Sequence, residues 1–207
     1  MSTTVVGVEE LFFAVIEDET QSLTEYDTPE RLGYVQELTI TPNSEAVNQY
    51  GDNRIIESYT SISAIEVNAT LTGISPEVEA TILGYTHANG VTIKHEKDQA
   101  PFVALMYKRL MANGKYRYKV LYKGKFSLPE ESNQTKEESV TFQSTSLVAT
   151  FVPRLDGIYE YQVDEGTATG PALASIETWF TSVQEPVNVP ASSPVVEEKT
   201  KETKLAK

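Results

Sequence analysis

The sequence predicts a mainly β fold carrying one principal helix, and three observations predict it. Apolar and polar residues alternate through Ile65-Glu66-Val67-Asn68-Ala69-Thr70-Leu71-Thr72, the period-two pattern of a half-buried strand. Asn113-Gly114 separates two long runs, Phe102–Ala112 and Lys115–Phe126, and this dipeptide between strand-like runs is the strongest short-range signal for a two-residue hairpin turn. Ser75–Gly84 carries a full set of helix signals. Ser75 stands at the N-cap, Pro76 at the first helical position, Glu77 and Glu79 in the first turn, and Gly84 just past the end.

The other elements follow in order. Leu11–Ile16 reads as a more fully buried strand, and Leu32–Ile40 and Gly157–Val163 as further strands. A strand over Ser139–Val152 stops at Pro153; its apolar phase moves from Val140 and Phe142 to Leu147, Ala149 and Phe151, which predicts a bulge or bend near Ser144–Ser146. Pro171–Val183 is either a second helix or irregular structure. Thr41–Tyr59 is polar and acidic, with Pro42-Asn43 and Gly51-Asp52-Asn53 as turn formers. A connection of that length is either functional or disordered. From Pro186 onward the composition is Pro, Ser, Val, Glu, Lys and Thr without an aromatic, so the chain divides into a domain over 1–185 and a disordered or extended tail over 186–207.

Composition narrows the function. Hydrophobic residues make up 40% of the 207, enough for a sizeable core. Without cysteine there is no disulfide scaffold, thiolate metal site or Cys nucleophile. Thirty acids against 17 bases give a net charge of −13, which argues against non-specific nucleic-acid binding driven by phosphate neutralisation and against an anionic membrane surface. No apolar run approaches the length of a membrane span, and Met1–Thr4 lacks a basic start followed by an apolar core, so a soluble protein made in a cytosol is expected. The common nucleophile, phosphate-loop, dinucleotide, zinc and calcium motifs are missing. His87 and His95, with Glu96 and Asp98 nearby, do not close a metal site by themselves; a solvated loop turning at Asn89-Gly90 explains them more simply. No enzyme, metal or cofactor is expected.

The charge is dipolar along the chain. Residues 1–93 hold 15 acids and two bases, whereas residues 94–136 hold ten bases and four acids. Strand alternation puts Lys115, Arg117, Lys119, Lys123 and Lys125 on one face with Leu121, and Tyr116, Tyr118, Val120, Tyr122 and Phe126 on the other. Bases interleaved with aromatics suggest nucleic-acid stacking, yet these tyrosines lie opposite the bases and read as core. The basic face is then solvated, set against acidic surface of a neighbouring subunit or, as the least favoured of the three, turned to nucleic acid.

An ordered series of stretches carries a family resemblance. It runs through Leu11-Phe12-Phe13-Ala14-Val15, Leu38-Thr39-Ile40-Thr41-Pro42-Asn43-Ser44, Ile74–Gly84 and Pro101-Phe102-Val103-Ala104-Leu105. It continues through Asn113-Gly114-Lys115-Tyr116-Arg117-Tyr118, Leu121–Phe126, Thr150-Phe151-Val152 and Gly157. Over about residues 5–165 the chain resembles the major tail tube proteins of bacteriophages with long, non-contractile tails. The resemblance implies a β-sandwich or barrel of two packed antiparallel sheets with one flanking helix. It also implies a structural virion protein made in the host bacterial cytoplasm, whose hexameric rings stack into the tail tube. Its partners would be further copies of itself, the tape-measure protein in the lumen, and the tail-tip and tail-terminator proteins, with DNA as transient cargo and no membrane. Thr41–Tyr59 matches the long loop or hairpin that, together with the termini, contacts the next ring, which nominates Asn43, Glu45, Gln49, Tyr50, Asp52 and Arg54. A conduit must release DNA, so the basic face is expected against a neighbouring subunit. The alternative is a carbohydrate- or protein-binding β-sandwich module, with Trp179 and surface tyrosines as its platform.

Overall fold

The computed structural model describes residues 4–21, 23–51, 54–129 and 144–187, with the backbone path alone for 45–51 and 55–60. Eleven strands and two helices follow one another among these residues: β1 (Val5–Glu19), β2 (Thr24–Tyr26), β3 (Glu30–Gly33), β4 (Val35–Gly51), β5 (Arg54–Leu71), α1 (Pro76–Leu83), β6 (Thr86–Ala88), β7 (Val91–Ile93), β8 (Val103–Met111), β9 (Tyr116–Phe126), β10 (Thr145–Phe151), β11 (Glu160–Asp164) and α2 (Pro171–Ala174). Nine strands form one antiparallel sheet in the order β2-β1-β8-β9-β10-β5-β4, with β3 also on β1 and β11 also on β9; β6 and β7 form a small second sheet.

The large sheet bends to pack on itself. Leu11 and Phe13 of β1, Leu32 of β3, Leu105 and Tyr107 of β8 and Leu121 of β9 share one core with Ile65, Val67 and Leu71 of β5 and Leu147 and Phe151 of β10. These are the inward positions of the alternating runs, and each large apolar side chain so buried stabilises the fold by roughly 1.5–3 kcal/mol. Helix α1 adds Ile82 and Leu83 to that core. Its N-terminus is capped as the sequence predicts: Ser75 Oγ accepts the Val78 N–H, and Gly84 ends the helix at φ 76°. A Cβ on Gly84 would lie 2.2 Å from the Gln99 carbonyl oxygen, so glycine is required there for space as well as for conformation.

A second core lies on the opposite face of the central strands. Ala14, Ala104, Met106, Val120, Tyr122 and Val163 meet Trp179, with Ile176, Phe180 and Val183 packed around. Strand β8 is therefore buried on both faces over Val103-Ala104-Leu105-Met106-Tyr107, which is why that run is apolar without alternation. Of Pro171–Val183 only Pro171–Ala174 is α-helical and the rest is a series of turns.

Several expectations are corrected. Of the loop or hairpin expected over Thr41–Tyr59, the hairpin is found, and the segment is no irregular connection: its described backbone is the outer part of a ladder in which β4 pairs with β5 from Val35↔Leu71 to Gly51↔Arg54. A ladder of polar residues has no apolar stripe, so hydrophobic periodicity is silent there. The Asn113-Gly114 turn does join β8 to β9, but through three residues. Met111 and Lys115 are hydrogen-bonded across it, Gly114 N–H donates to Met111 O, and only Gly114 is left-handed, at φ 76°. The tight two-residue form, with both residues at positive φ, belongs to Asn89-Gly90 between β6 and β7. Strand β10 is in continuous register from Thr145 to Phe151, with no bulge in that span. Residues 139–143, Asp52 and 188–207 lie outside the described residues.

Candidate functional site

Strand β5 pairs with β10 only over residues 65–71, and β4 pairs only with β5. Beyond Ile65 the β4–β5 hairpin is therefore a two-stranded arm, roughly 30 Å long at about 3.3 Å per residue. An isolated two-stranded ribbon is marginal in water, so this arm gains most from a surface to lie on. Asn43 and Arg54, nominated from the sequence, are exposed on it. Glu45, Gln49 and Tyr50 lie on β4, where the backbone path alone is described, and Asp52 falls outside the described residues.

The basic strand β9 departs from its predicted single face. The β8–β9 register shifts between Val103↔Gly124 and Leu105↔Leu121, so β9 carries one extra residue there. Leu121 and Phe126 consequently point into the same core although their numbers differ in parity. Gly124 faces Phe151, whose ring would be 2.5 Å from a Cβ placed there. Lys115, Arg117 and Lys119 share the face of Leu121, while Lys123 and Lys125 lie on the other face, over the ring of Phe102 at 4.7 and 4.3 Å.

These bases are largely answered within the chain. Lys115 pairs with Glu165 at 3.1 Å, Arg117 with Asp164 at 2.6 Å and Lys119 with Glu160 at 2.6 Å. All three acids come from β11 or the residue after it. Lys123 pairs with Glu19 of β1. Glu165 also accepts the Tyr116 N–H at 2.8 Å, and this bond, with Lys115 beside it, holds its carboxyl below the usual range. The far edge of β11 has no strand partner among the described residues. A cavity of about 470 Å3 runs along that edge, lined in part by Tyr161, Val163, Ala172, Pro186 and Val187.

Sequence reasoning missed the tie that holds the C-terminal segment. Arg154, 6% exposed, donates to both Glu185 and Asp156 and lies 4.2 Å over the Tyr122 ring. Tyr122 Oη donates to the Gln184 carbonyl at 2.7 Å. Burial pushes the neighbouring Tyr26 phenol up to about 12. The pattern is not visible locally because its members are up to 128 residues apart. Trp179 is fully buried and offers no platform for a sugar. His87 binds Thr92 through Nδ1 and stands 3.5 Å from Glu77; among the described residues no group of three His, Asp or Glu could hold a metal ion.

Against this geometry stands one decisive comparison: the family model described as "Phage tail tube protein" matches residues 3–158. The chain belongs to that family. Phage tail tube proteins are structural rather than catalytic, are components of the virion, and assemble into a tail tube with other tail components. No curated protein matches the chain. The match covers the sandwich and the arm and stops before β11, so the three carboxylates facing Lys115, Arg117 and Lys119 lie beyond it. No helix among the described residues is long and apolar enough to cross a membrane.

Proposed function

We propose that this tail tube protein forms hexameric rings that stack into the hollow conduit through which DNA leaves for the host. The observation that carries the reading is the β4–β5 arm, the outer part of the hairpin, which pairs with nothing but itself among the described residues. A ribbon of that length, with no third strand beside it, suits a contact with the adjacent ring, made by Asn43, Glu45, Gln49, Tyr50, Asp52 and Arg54. Within a ring, the free edges of β4 and β11 are two unlike edges of one sheet. Joining one to the other is a head-to-tail contact that closes on rotation, and it removes an aggregation hazard from every subunit. Lys115, Arg117 and Lys119, with their β11 acids, then flank the seam, and Lys123 and Lys125 sit on the opposite face. The tape-measure protein occupies the lumen during assembly, tail-tip and tail-terminator proteins close the ends, and synthesis takes place in the host bacterial cytoplasm.

The test shortens the arm without disturbing register. Glu45 and Ser61 are pairing partners, so replacing residues 46–60 by Asn-Gly leaves a two-residue turn between them. The expected product is a folded protein with parental melting that forms no tubes by electron microscopy. Tubes of normal length from the shortened chain would refute the role of the arm.

A further inference from the structure

On the Leu121 face of β8, β9 and β11 one base lacks, among the described residues, the carboxylate partner that its neighbours have. Three register rows cross the Leu121 face: Val8–Arg109–Arg117–Asp164, then Tyr107–Lys119–Gln162, then Leu105–Leu121–Glu160. Arg109 and Arg117 stand directly opposite each other, an arrangement that destabilises a ladder unless charge of the other sign answers it. Asp164 answers Arg117, using one oxygen for both Nε and Nη2. Glu160 answers Lys119. Among the described residues no carboxylate stands within ion-pair distance of Arg109. Its guanidinium reaches only the Tyr107 hydroxyl, at 3.4 Å, and lies 5.3 Å from that ring. Tyr107 is fully buried, so it fixes the base of the site.

We infer that Arg109 is the receptor for a carboxylate supplied by a neighbouring copy of this chain, the unmatched charge on an otherwise neutralised face; the inference rests on the self-assembly proposed above. A guanidinium fork takes a carboxylate through two parallel N–H···O bonds. A donor is abundant, because residues 1–93 carry 15 acids against two bases. Nucleic acid suits the site less well. A phosphate chain laid on this face would pass Asp164 and Glu160 as well as Arg109, and one uncompensated base per subunit gives a weak counterion-release term. In the isolated subunit the unanswered charge of Arg109 opposite Arg117 is a local cost, the signature of a residue kept for something other than folding.

The experiment compares the parental full-length chain with Arg109→Gln, Arg109→Lys and Arg109→Glu. Melting of the subunit, kept dissociated by dilution, is read first; tube formation is then read by sedimentation and electron microscopy. Arg109→Gln removes the like-charge contact, so its melting temperature is expected to be unchanged or about 1–2 °C higher. Its critical concentration for assembly should rise at least tenfold, Arg109→Lys should fall between, and Arg109→Glu should not assemble at low salt. A several-degree loss of melting temperature in Arg109→Gln would make the residue structural and overturn the inference. Assembly of Arg109→Gln at the parental concentration would also overturn it while leaving the tube reading intact, and a parental chain that never assembles would overturn both. Normal assembly with loss of retention of a short DNA duplex would assign the site to nucleic acid instead.

Discussion

The β8–β9 and β4–β5 hairpins are both long antiparallel ladders, yet their surroundings differ at every level. Val103–Tyr107 and Val120–Tyr122 are buried on both faces, with one core beneath them and Trp179 and its segment above. Beyond Ile65 the β4–β5 ladder has no third strand, and its described residues 43, 44, 54 and 61 are exposed. Backbone hydrogen bonds are common to both, so they do not set the difference; apolar burial does. The inner hairpin therefore specifies the fold, and the outer one is free to serve contacts between copies.

The comparison is most directly broken at Leu121, which is fully buried in the first core. Leu121→Ala should cost about 2–5 kcal/mol, from lost burial and the cavity left behind, read as a lower denaturant midpoint at constant slope. A loss below about 1 kcal/mol would mean that the β8–β9 hairpin is not the centre of the fold.

A smaller effect sharpens the same point at the bulge. Gly124→Ala sets a methyl 2.5 Å from the Phe151 ring, which is itself buried and part of the core. Overpacking of this kind costs about 1–3 kcal/mol. If Gly124→Ala melts like the parent, the ring has room to move and the split between Lys119 and Lys123 has another cause.

Legibility followed the same division. Ile65–Leu71 could be assigned to a strand, and its inward residues named, because its alternation and its burial have one cause. Ser75 and Gly84 were legible because helix ends are satisfied by neighbours in sequence. The phase of Lys123 and Lys125 was not, since a bulge reverses every side chain after it; Gly124 inside the run was the available signal. Trp179 and Arg154 were misjudged or missed because their partners are distant in sequence. Arg109 was passed over because faces were assigned only on Lys115–Phe126 and not on Phe102–Ala112, although its i+2 relation to Tyr107 places both on one face.

Acid should reach the inner hairpin before it reaches the outer one. Glu165 ties the start of β9 through the Tyr116 N–H and Lys115, and these bonds hold its carboxyl below its ordinary value of about 4.3. A depressed folded value means that the stabilisation is present above the unfolded value and is lost as the pH falls through the folded one. Between pH 5 and pH 3 the parent should lose more melting temperature than Glu165→Gln, which has no carboxylate there to protonate. Trp179, the sole tryptophan, reports the transition from within the second core. Equal losses in the two proteins would remove Glu165 from the account.

The smallest effects on folding belong to the arm, and there the contrast is sharpest. Asn43 and Arg54 are exposed on a ribbon whose described side chains beyond Ile65 reach the core only through the half-buried Ile62. Substitutions at such positions change stability by no more than about 0.5 kcal/mol. Asn43→Ala and Arg54→Ala should therefore unfold at the parental denaturant midpoint, singly and together. Their consequence is expected between copies: a side chain that contributes nothing measurable to one subunit is repeated in every copy of the tube, so small losses at each proposed contact multiply along it. The double variant should assemble more slowly and give shorter tubes than the parent at equal concentration, with the difference growing as salt is raised if Arg54 acts through charge. Parental tube lengths would place the contact elsewhere on the arm. A lowered denaturant midpoint would mean that the arm folds back on its own subunit, and the two hairpins would then differ less than their burial says.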